Sequence, residues 1–190
     1  RFLAETEGAT YPFWAPDSRR VGFFAKGKLR RVALDDGRVE PICDAIEGRG
    51  GSWGSAGTIV FAGSVTGPIA AVAADGGAPR AVTAIENPEE EISHRFPAFL
   101  PDGQQFLYLA DPGTGGEEGA VYLASLAGGP RRLLFKSRRA PIYAEPGYLI
   151  YSIDDRLVAQ AFDAKSGALR GEPRRLEEAT PSYVNTQDRA

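Results

Sequence analysis

The chain has 190 residues, 43% hydrophobic and 25% charged, with a net charge of −3 at pH 7, a composition normal for a folded domain with a real core. The acidic balance argues against a nucleic-acid binder, which needs a basic face, and no apolar run approaches the ~20 residues of a membrane-spanning helix. One Cys and one His exclude a disulfide framework and a Cys/His zinc site built from this chain alone.

In chain order, four segments share one grammar: PFWAPDSRRVGFFA, GSWGSAGTIVFAG, PAFLPDGQQFLYLA and PIYAEPGYLIYS. Their aromatic anchors are Trp14, Trp53, Phe99 and Tyr143, set at a period of about 40–45 residues. Trp14 and Phe99 are expected to be buried anchors, and each of the four anchors leads into a turn. These are Pro16-Asp17-Ser18, Ser55-Ala56-Gly57, Pro101-Asp102-Gly103 and Glu145-Pro146-Gly147, residue types that set tight-turn backbone angles. A short β-type run follows every turn. The second half of each unit repeats as well: LRRVAL, IAAVAA, VYLASL and LVAQAF each reach a polar or Gly turn, then a final strand (RVEPIC, APRAVT, PRRLLF, PRRLEE).

Four short strands per unit at this period predict an all-β chain of β-propeller blades. Residues 11–46, 50–86, 96–137 and 141–178 are read as the blades. RFLAETEGAT (1–10) is read as the rim strand of a preceding blade, because it aligns with RLLFKSRRAP before the fourth anchor. Residues 179–190 are read as the start of another blade or a loose tail. The 23 Gly and 14 Pro fit the repeated turns, and with no Met and about four blades the chain reads as a piece: an open arc of a larger, six- to eight-bladed ring. The one helix signal, Asn87-Pro88-Glu89-Glu90-Glu91, predicts one or two turns in a loop between units.

The Trp14–Phe23 and Phe99–Tyr108 stretches resemble the TolB-type, WD-repeat-like propeller repeat. The second and fourth units depart from it, lacking or displacing the Pro-Asp pair. PFWAPDSRRVGFFAKGKLRRVAL, EISHRFPAFLPDGQQFLYL and GYLIYSIDDRLVAQAFDAKSGALRGEP are similar to propellers at the C-terminal ends of bacterial Ser/Thr protein kinases. That resemblance implies a sensor or protein-binding role beside a covalently linked upstream kinase. It also implies a membrane-anchored parent and an extracytoplasmic (periplasmic) location, with the cytoplasm as the alternative.

No catalytic set is complete, so the chain is expected not to be an enzyme. Gly50-Gly51-Ser52-Trp53-Gly54 fits the nucleophile-elbow pattern, but that chemistry needs a strand–turn–helix, and no helix pattern follows. Asp17 and Asp102 sit before Ser or Gly in turns, where an Asx-type backbone bond is the better reading. Glu89-Glu90-Glu91 and the recurring Arg pairs read as solvated surface. His94 and Arg95, in the connection from a rim strand to the next inner strand, are the candidate contacts to a ligand or partner. For His94 the competing reading is a ring that fixes its own loop. No cofactor motif occurs and no cofactor is expected. The expected partner is a protein, a peptide or a small ligand. The alternatives are the substrate-gating propeller of a prolyl-oligopeptidase-type peptidase and a free periplasmic TolB-like scaffold.

Overall fold

A computed structural model describes residues 3–114, 118–154 and 156–176. Sixteen strands form four antiparallel four-stranded sheets, each running in chain order from its innermost to its outermost strand. Blade 1 comprises β1 (Thr10–Trp14), β2 (Arg20–Ala25), β3 (Lys28–Ala33) and β4 (Val39–Asp44). Blade 2 comprises β5 (Gly51–Trp53), β6 (Thr58–Phe61), β7 (Ala70–Ala73) and β8 (Arg80–Ala81). β9 (Ser93–Phe99), β10 (Gln105–Asp111), β11 (Gly119–Ser125) and β12 (Arg132–Ser137) make blade 3. Blade 4 holds β13 (Ile142–Ala144), β14 (Tyr148–Ile153), β15 (Arg156–Asp163) and β16 (Ala168–Arg175). The chain is an arc of β-propeller blades, and the innermost strands β1, β5 and β9 lie side by side.

The cores lie between blades. Side chains alternate across a strand, so the middle strands are apolar on both faces. In β10, Phe106 and Tyr108 pack with Val60, Ile69 and Ala71 of blade 2, while Leu107 packs with Leu149, Tyr151 and Val158 of blade 4. A corresponding seam joins blades 1 and 2 through Phe24, Leu29, Ile42, Trp53, Ile59 and Phe61. Each such burial contributes roughly 1.5–3 kcal/mol, which makes the blades mutually dependent.

The repeated turn is closed in the same way in all four blades. The fourth residue after each anchor donates its N–H three residues back: Ser18 to Ala15 (3.0 Å), Gly57 to Gly54 (3.1 Å), Gly103 to Leu100 (2.9 Å) and Gly147 to Ala144 (3.1 Å). All four donors have positive φ, which is why three are Gly. Asp17 Oδ1 accepts the Arg19 N–H at 2.9 Å. Asp102 Oδ1 accepts those of Gln104 and Gln105, each at 2.9 Å.

Three of the four aromatic anchors pack toward the preceding blade, and the fourth is a correction. Trp53 pairs across to Ile59, Phe99 to Phe106 and Tyr143 to Leu149. Residues opposite one another in an antiparallel pair share a face, and these anchors join the seams behind them. Trp14 pairs with Val21, which belongs to a cluster on the outer side of blade 1 with Phe23 and Val32. No blade among the described residues covers that side, so Trp14 is 62% exposed. Phe13 turns toward blade 2 instead, its ring filling space that Gly22 and Gly51 leave open.

One further expectation changes. Residues 3–9 form successive turns rather than a rim strand, with Glu5 and Gly8 at positive φ breaking any extended run; Leu3 packs on the outer cluster of blade 1. The Asn87 segment makes a single turn, in which Glu90 and Glu91 donate their N–H groups to the Asn87 carbonyl. Residues 179–190, read as the start of another blade, lie outside the described residues.

Candidate ligand-binding face

Two faces follow from the meander. The turn face carries the repeated anchor turns and the turns between third and fourth strands. The connection face carries the segments between blades (45–50, 82–92, 138–141) and the loops between second and third strands, and here repetition stops. The loop between β2 and β3 is two residues, Lys26-Gly27, whereas 62–69 spans the same interval in blade 2. Ile46, on the first connection, is 80% exposed.

The connection from blade 2 to blade 3 carries a polar network into the seam. Because β8 is only two residues long, the chain leaves the rim early, and the Asn87 turn aims Glu91 back into the protein. Glu91 Oε1 accepts the backbone N–H groups of Glu86 (2.8 Å) and Asn87 (3.4 Å). Its other oxygen meets Arg131 Nη1 at 2.6 Å and His94 Nε2 at 3.2 Å. His94 Nδ1 lies 2.7 Å from the Thr83 hydroxyl, which itself accepts the Ile69 N–H at 2.8 Å. Arg131 stacks over Tyr122, 4.1 Å from the ring centroid, and reaches Tyr108 Oη at 3.4 Å and Glu86 at 3.2 Å. Tyr108 in turn contacts both the Tyr122 and the His94 rings.

Burial and pairing set the charge states. Burial alone would raise the Glu91 carboxyl, but the Arg131 guanidinium, the Glu86 N–H and His94 outweigh it and hold it at about 2. For His94 burial dominates over Glu91, and its pKa lies below the ordinary imidazole value. The neutral ring then donates from Nε2 to Glu91 and accepts at Nδ1 from Thr83, a tautomer inferred from the bonds. Burial also pushes the Tyr108 hydroxyl to about 12. The result is a permanently paired anion and cation inside a seam, a stiff joint between blades 2 and 3. Above it lies a cleft of about 320 Å³ lined by Arg80, Thr83, Glu86, Tyr108, Ser125 and Arg131.

His94 is therefore not a surface contact: it is 1% exposed, because its strand start is tucked under the 82–92 connection. Arg95 is also drawn inward, bonded to Ser93 Oγ (2.8 Å) and the Val65 carbonyl (3.2 Å) and paired with buried Asp111 (3.3 Å). Glu91, read as solvated surface, is 4% exposed, and Arg131, read as a solvated edge, is its counter-ion. A capping-type signal was present, since an acid one turn after an Asn cap folds back on the cap's own N–H. Nothing in the spacing linked it to Arg131, 40 residues onward.

The innermost strands meet at the channel mouth. The residue three before each of the first three anchors is left-handed: Tyr11 at φ 48°, Gly50 at 91° and Phe96 at 51°. Strands β1 and β9 are bulged there, a device that re-aims side chains. The Tyr11 and Phe96 rings meet across the start of β5, centroids 5.8 Å apart. They can do so because Gly50 between them has no side chain; a Cβ there would lie 2.9 Å from the Phe96 backbone. Arg49 sits beside the pair, its guanidinium 6.0 Å from the Tyr11 centroid.

Ser52 of the G-x-S-x-G string lies on β5, where its Oγ accepts the Phe99 N–H at 3.1 Å, and β6 rather than a helix follows. Burial raises the Cys43 thiol to about 11, leaving no thiolate at neutral pH. Among the described residues, no group of three or more His, Cys, Asp or Glu could hold a metal ion, and no helix is long and apolar enough to cross a membrane.

No protein-family model matches the chain, and no curated protein matches it. Solved structures do. The chain is similar to a protein of the nidogen/laminin complex at 14% identity and TM-score 0.70, covering 89% of this chain and 64% of that one. A TolB structure from Agrobacterium tumefaciens aligns at 18% identity and TM-score 0.66, covering 90% of this chain and 62% of its own. A gluconolactonase from Xanthomonas campestris aligns at 16% identity and TM-score 0.65, covering 88% and 61%. The chain thus spans less than two thirds of the length of each. These likenesses establish the β-propeller fold. They also correct the expectation that the chain is not an enzyme: the gluconolactonase, a luciferin-regenerating enzyme and a virginiamycin B lyase share this architecture, so the lack of a complete catalytic set of familiar pattern does not exclude catalysis on it.

Proposed function

We propose that this propeller is a ligand- or protein-binding sensor module of a bacterial Ser/Thr protein kinase, engaged through its connection face. The observation that carries the proposal is the asymmetry between faces. Anchor turns on one side repeat bond for bond, whereas segments on the other differ from blade to blade in length, charge and burial. Loops positioned by a rigid scaffold are where binding residues concentrate. The sequence likeness to kinase-linked propellers supports the parent and an extracytoplasmic location. The nidogen/laminin complex offers a precedent for partner binding among proteins of this fold.

The test is cross-linking in the full-length protein in its host cells. A photo-reactive residue at exposed Ile46 on the connection face is expected to give a discrete adduct, and one at exposed Asp36 on the turn face none. Adducts from Asp36 alone, or from neither site, would overturn the proposal. The gene itself tests the parent: a kinase and a membrane helix upstream are expected, and an α/β-hydrolase domain downstream would replace the kinase reading with the peptidase one.

A further inference from the structure

Several half-buried arginines of this chain are matched to acids. Arg31 holds Glu40 at 2.8 Å and Asp75 at 2.7 Å. Arg131 holds Glu91 and Glu86, and Arg95 holds Asp111. Arg49 departs from this pattern. It stands four residues before the Trp53 anchor, the position that Arg95 and Arg139 occupy before Phe99 and Tyr143. Yet among the described residues its side chain makes one hydrogen bond, to the Gly48 carbonyl at 3.1 Å, and no ion pair. Its Nε is buried without an acceptor, as is that of Arg30, whose guanidinium is however paired with Glu5 at 3.5 Å. A guanidinium carries five donors in a planar fork suited to a carboxylate, so most of this one's bonding capacity is unused by the described residues.

What surrounds it is not a packing accident. Tyr11 and Phe96 are bulky residues held at positive φ, where such side chains are genuine outliers. Local strain of this kind persists where the surrounding structure enforces it and clusters at ligand clamps. Here the enforcement is visible. The Phe96 N–H bonds the Arg49 carbonyl at 2.9 Å, and Gly50 lets Phe96 close onto β5. Two aromatic rings from blades 1 and 3 are thereby brought together beside one unmatched cation from the connection leading into blade 2. This juxtaposition stands on the connection face, where the innermost strands begin.

We propose that Arg49, Tyr11 and Phe96 form a binding site for a carboxylate carried on an aromatic or flat apolar group. The carboxylate takes the free donors of Arg49, and the apolar body lies against the Tyr11–Phe96 pair. The inference rests on the connection face being the binding face, and it adds the chemistry of the ligand.

Calorimetric titration of the full-length protein with phenylacetate and with its neutral analogue phenylacetamide tests it. Saturable phenylacetate binding is expected, with the amide at least about tenfold weaker because it cannot form the charge-assisted pair. Arg49→Gln should bring phenylacetate down to the level of the amide. Phe96→Leu should weaken acid and amide alike, and Arg80→Gln, on the blade 2 rim, should change neither. Absence of saturable phenylacetate binding, equal affinity for acid and amide, or wild-type affinity in Arg49→Gln would overturn the site. The acid–amide comparison uses the wild-type protein, so it decides even where a variant fails to fold. Cross-linking from Ile46 without phenylacetate binding would reject the carboxylate while leaving the binding face in place.

Discussion

On the turn face the four blades meet one steric demand with one solution; on the connection face they diverge in loop length, charge and burial, although a left-handed residue recurs three before the first three anchors. The turn after each anchor closes with the same i to i+3 hydrogen bond and the same left-handed residue, whether the sequence reads Pro-Asp-Ser, Ala-Gly, Pro-Asp-Gly or Pro-Gly. The connection face instead buries Glu91, His94 and Asp111, holds Tyr11 and Phe96 in left-handed conformations, and leaves Arg49 without a counter-ion among the described residues. A repeated feature answers a problem every blade shares, namely reversing the chain and packing on the next sheet. A feature found in one seam or at one channel mouth answers something that the scaffold alone does not require.

The comparison can be broken most severely at Glu91. Glu91→Ala leaves Arg131 and His94 facing each other in the seam without their shared anion, and a cost of about 3–5 kcal/mol is expected from denaturant unfolding. A loss no larger than that of an exposed-carboxylate variant would show that the network is not the joint between blades 2 and 3. Of similar size is the loss expected for the buried anchor: Trp53→Ala should cost about 3–5 kcal/mol, whereas Trp14→Ala, on an open face, should stay within about 0.5 kcal/mol. Equal shifts in melting temperature would contradict the register assigned to blade 1.

Acid should act through the same seam. Glu91 has a folded pKa depressed to about 2, so its contribution is present above the ordinary carboxylate pKa and is lost as pH falls from about 4.5 toward 2. The loss is roughly 3 kcal/mol by linkage. His94, whose folded pKa is lowered chiefly by burial, pulls in the same direction and earlier. The unfolded chain takes up its proton first, so stability declines as pH drops below about 6.5. Unfolding midpoints measured from pH 7 to pH 3 should fall steadily in the wild type, whereas Glu91→Ala should keep the His94 part of the fall and lose the part below about pH 4.5. A flat wild-type profile would contradict the charge states given to the seam. A loss smaller than those at Glu91 and Trp53 is expected on the turn face, where Asp102→Ala removes two backbone-capping bonds and should cost about 1 kcal/mol.

Much of the fold was legible because turn chemistry and strand alternation are local. Four strands per unit, the reversal after each anchor and the capping roles of Asp17 and Asp102 follow from residues within ten positions of one another. Trp14 was misjudged because its neighbours in sequence match those of Trp53, while its burial depends on a blade standing on its other side. The candidate site was legible only in outline. His94 drew attention by its chemistry and its place in a connection, but its burial depends on Glu91 and Arg131, which meet across two blades. Arg49 is conspicuous only when the acid partners of Arg31, Arg95 and Arg131 have been placed. Neither distinction exists until the chain is folded.

The most direct measurement is where a ligand settles on the full-length protein. The turn face offers a larger cleft than the blade 2–3 seam does, about 890 Å³ between blades 3 and 4, lined by Pro101, Tyr143, Pro146, Phe162 and Lys165. Volume alone would favour it. A crystal structure of the full-length protein grown with phenylacetate should show the carboxylate on Arg49 and the ring against Tyr11 and Phe96 at the channel mouth. Phenylacetate in the blade 3–4 cleft with Arg49 unoccupied would contradict recognition at the face where the repeat breaks down.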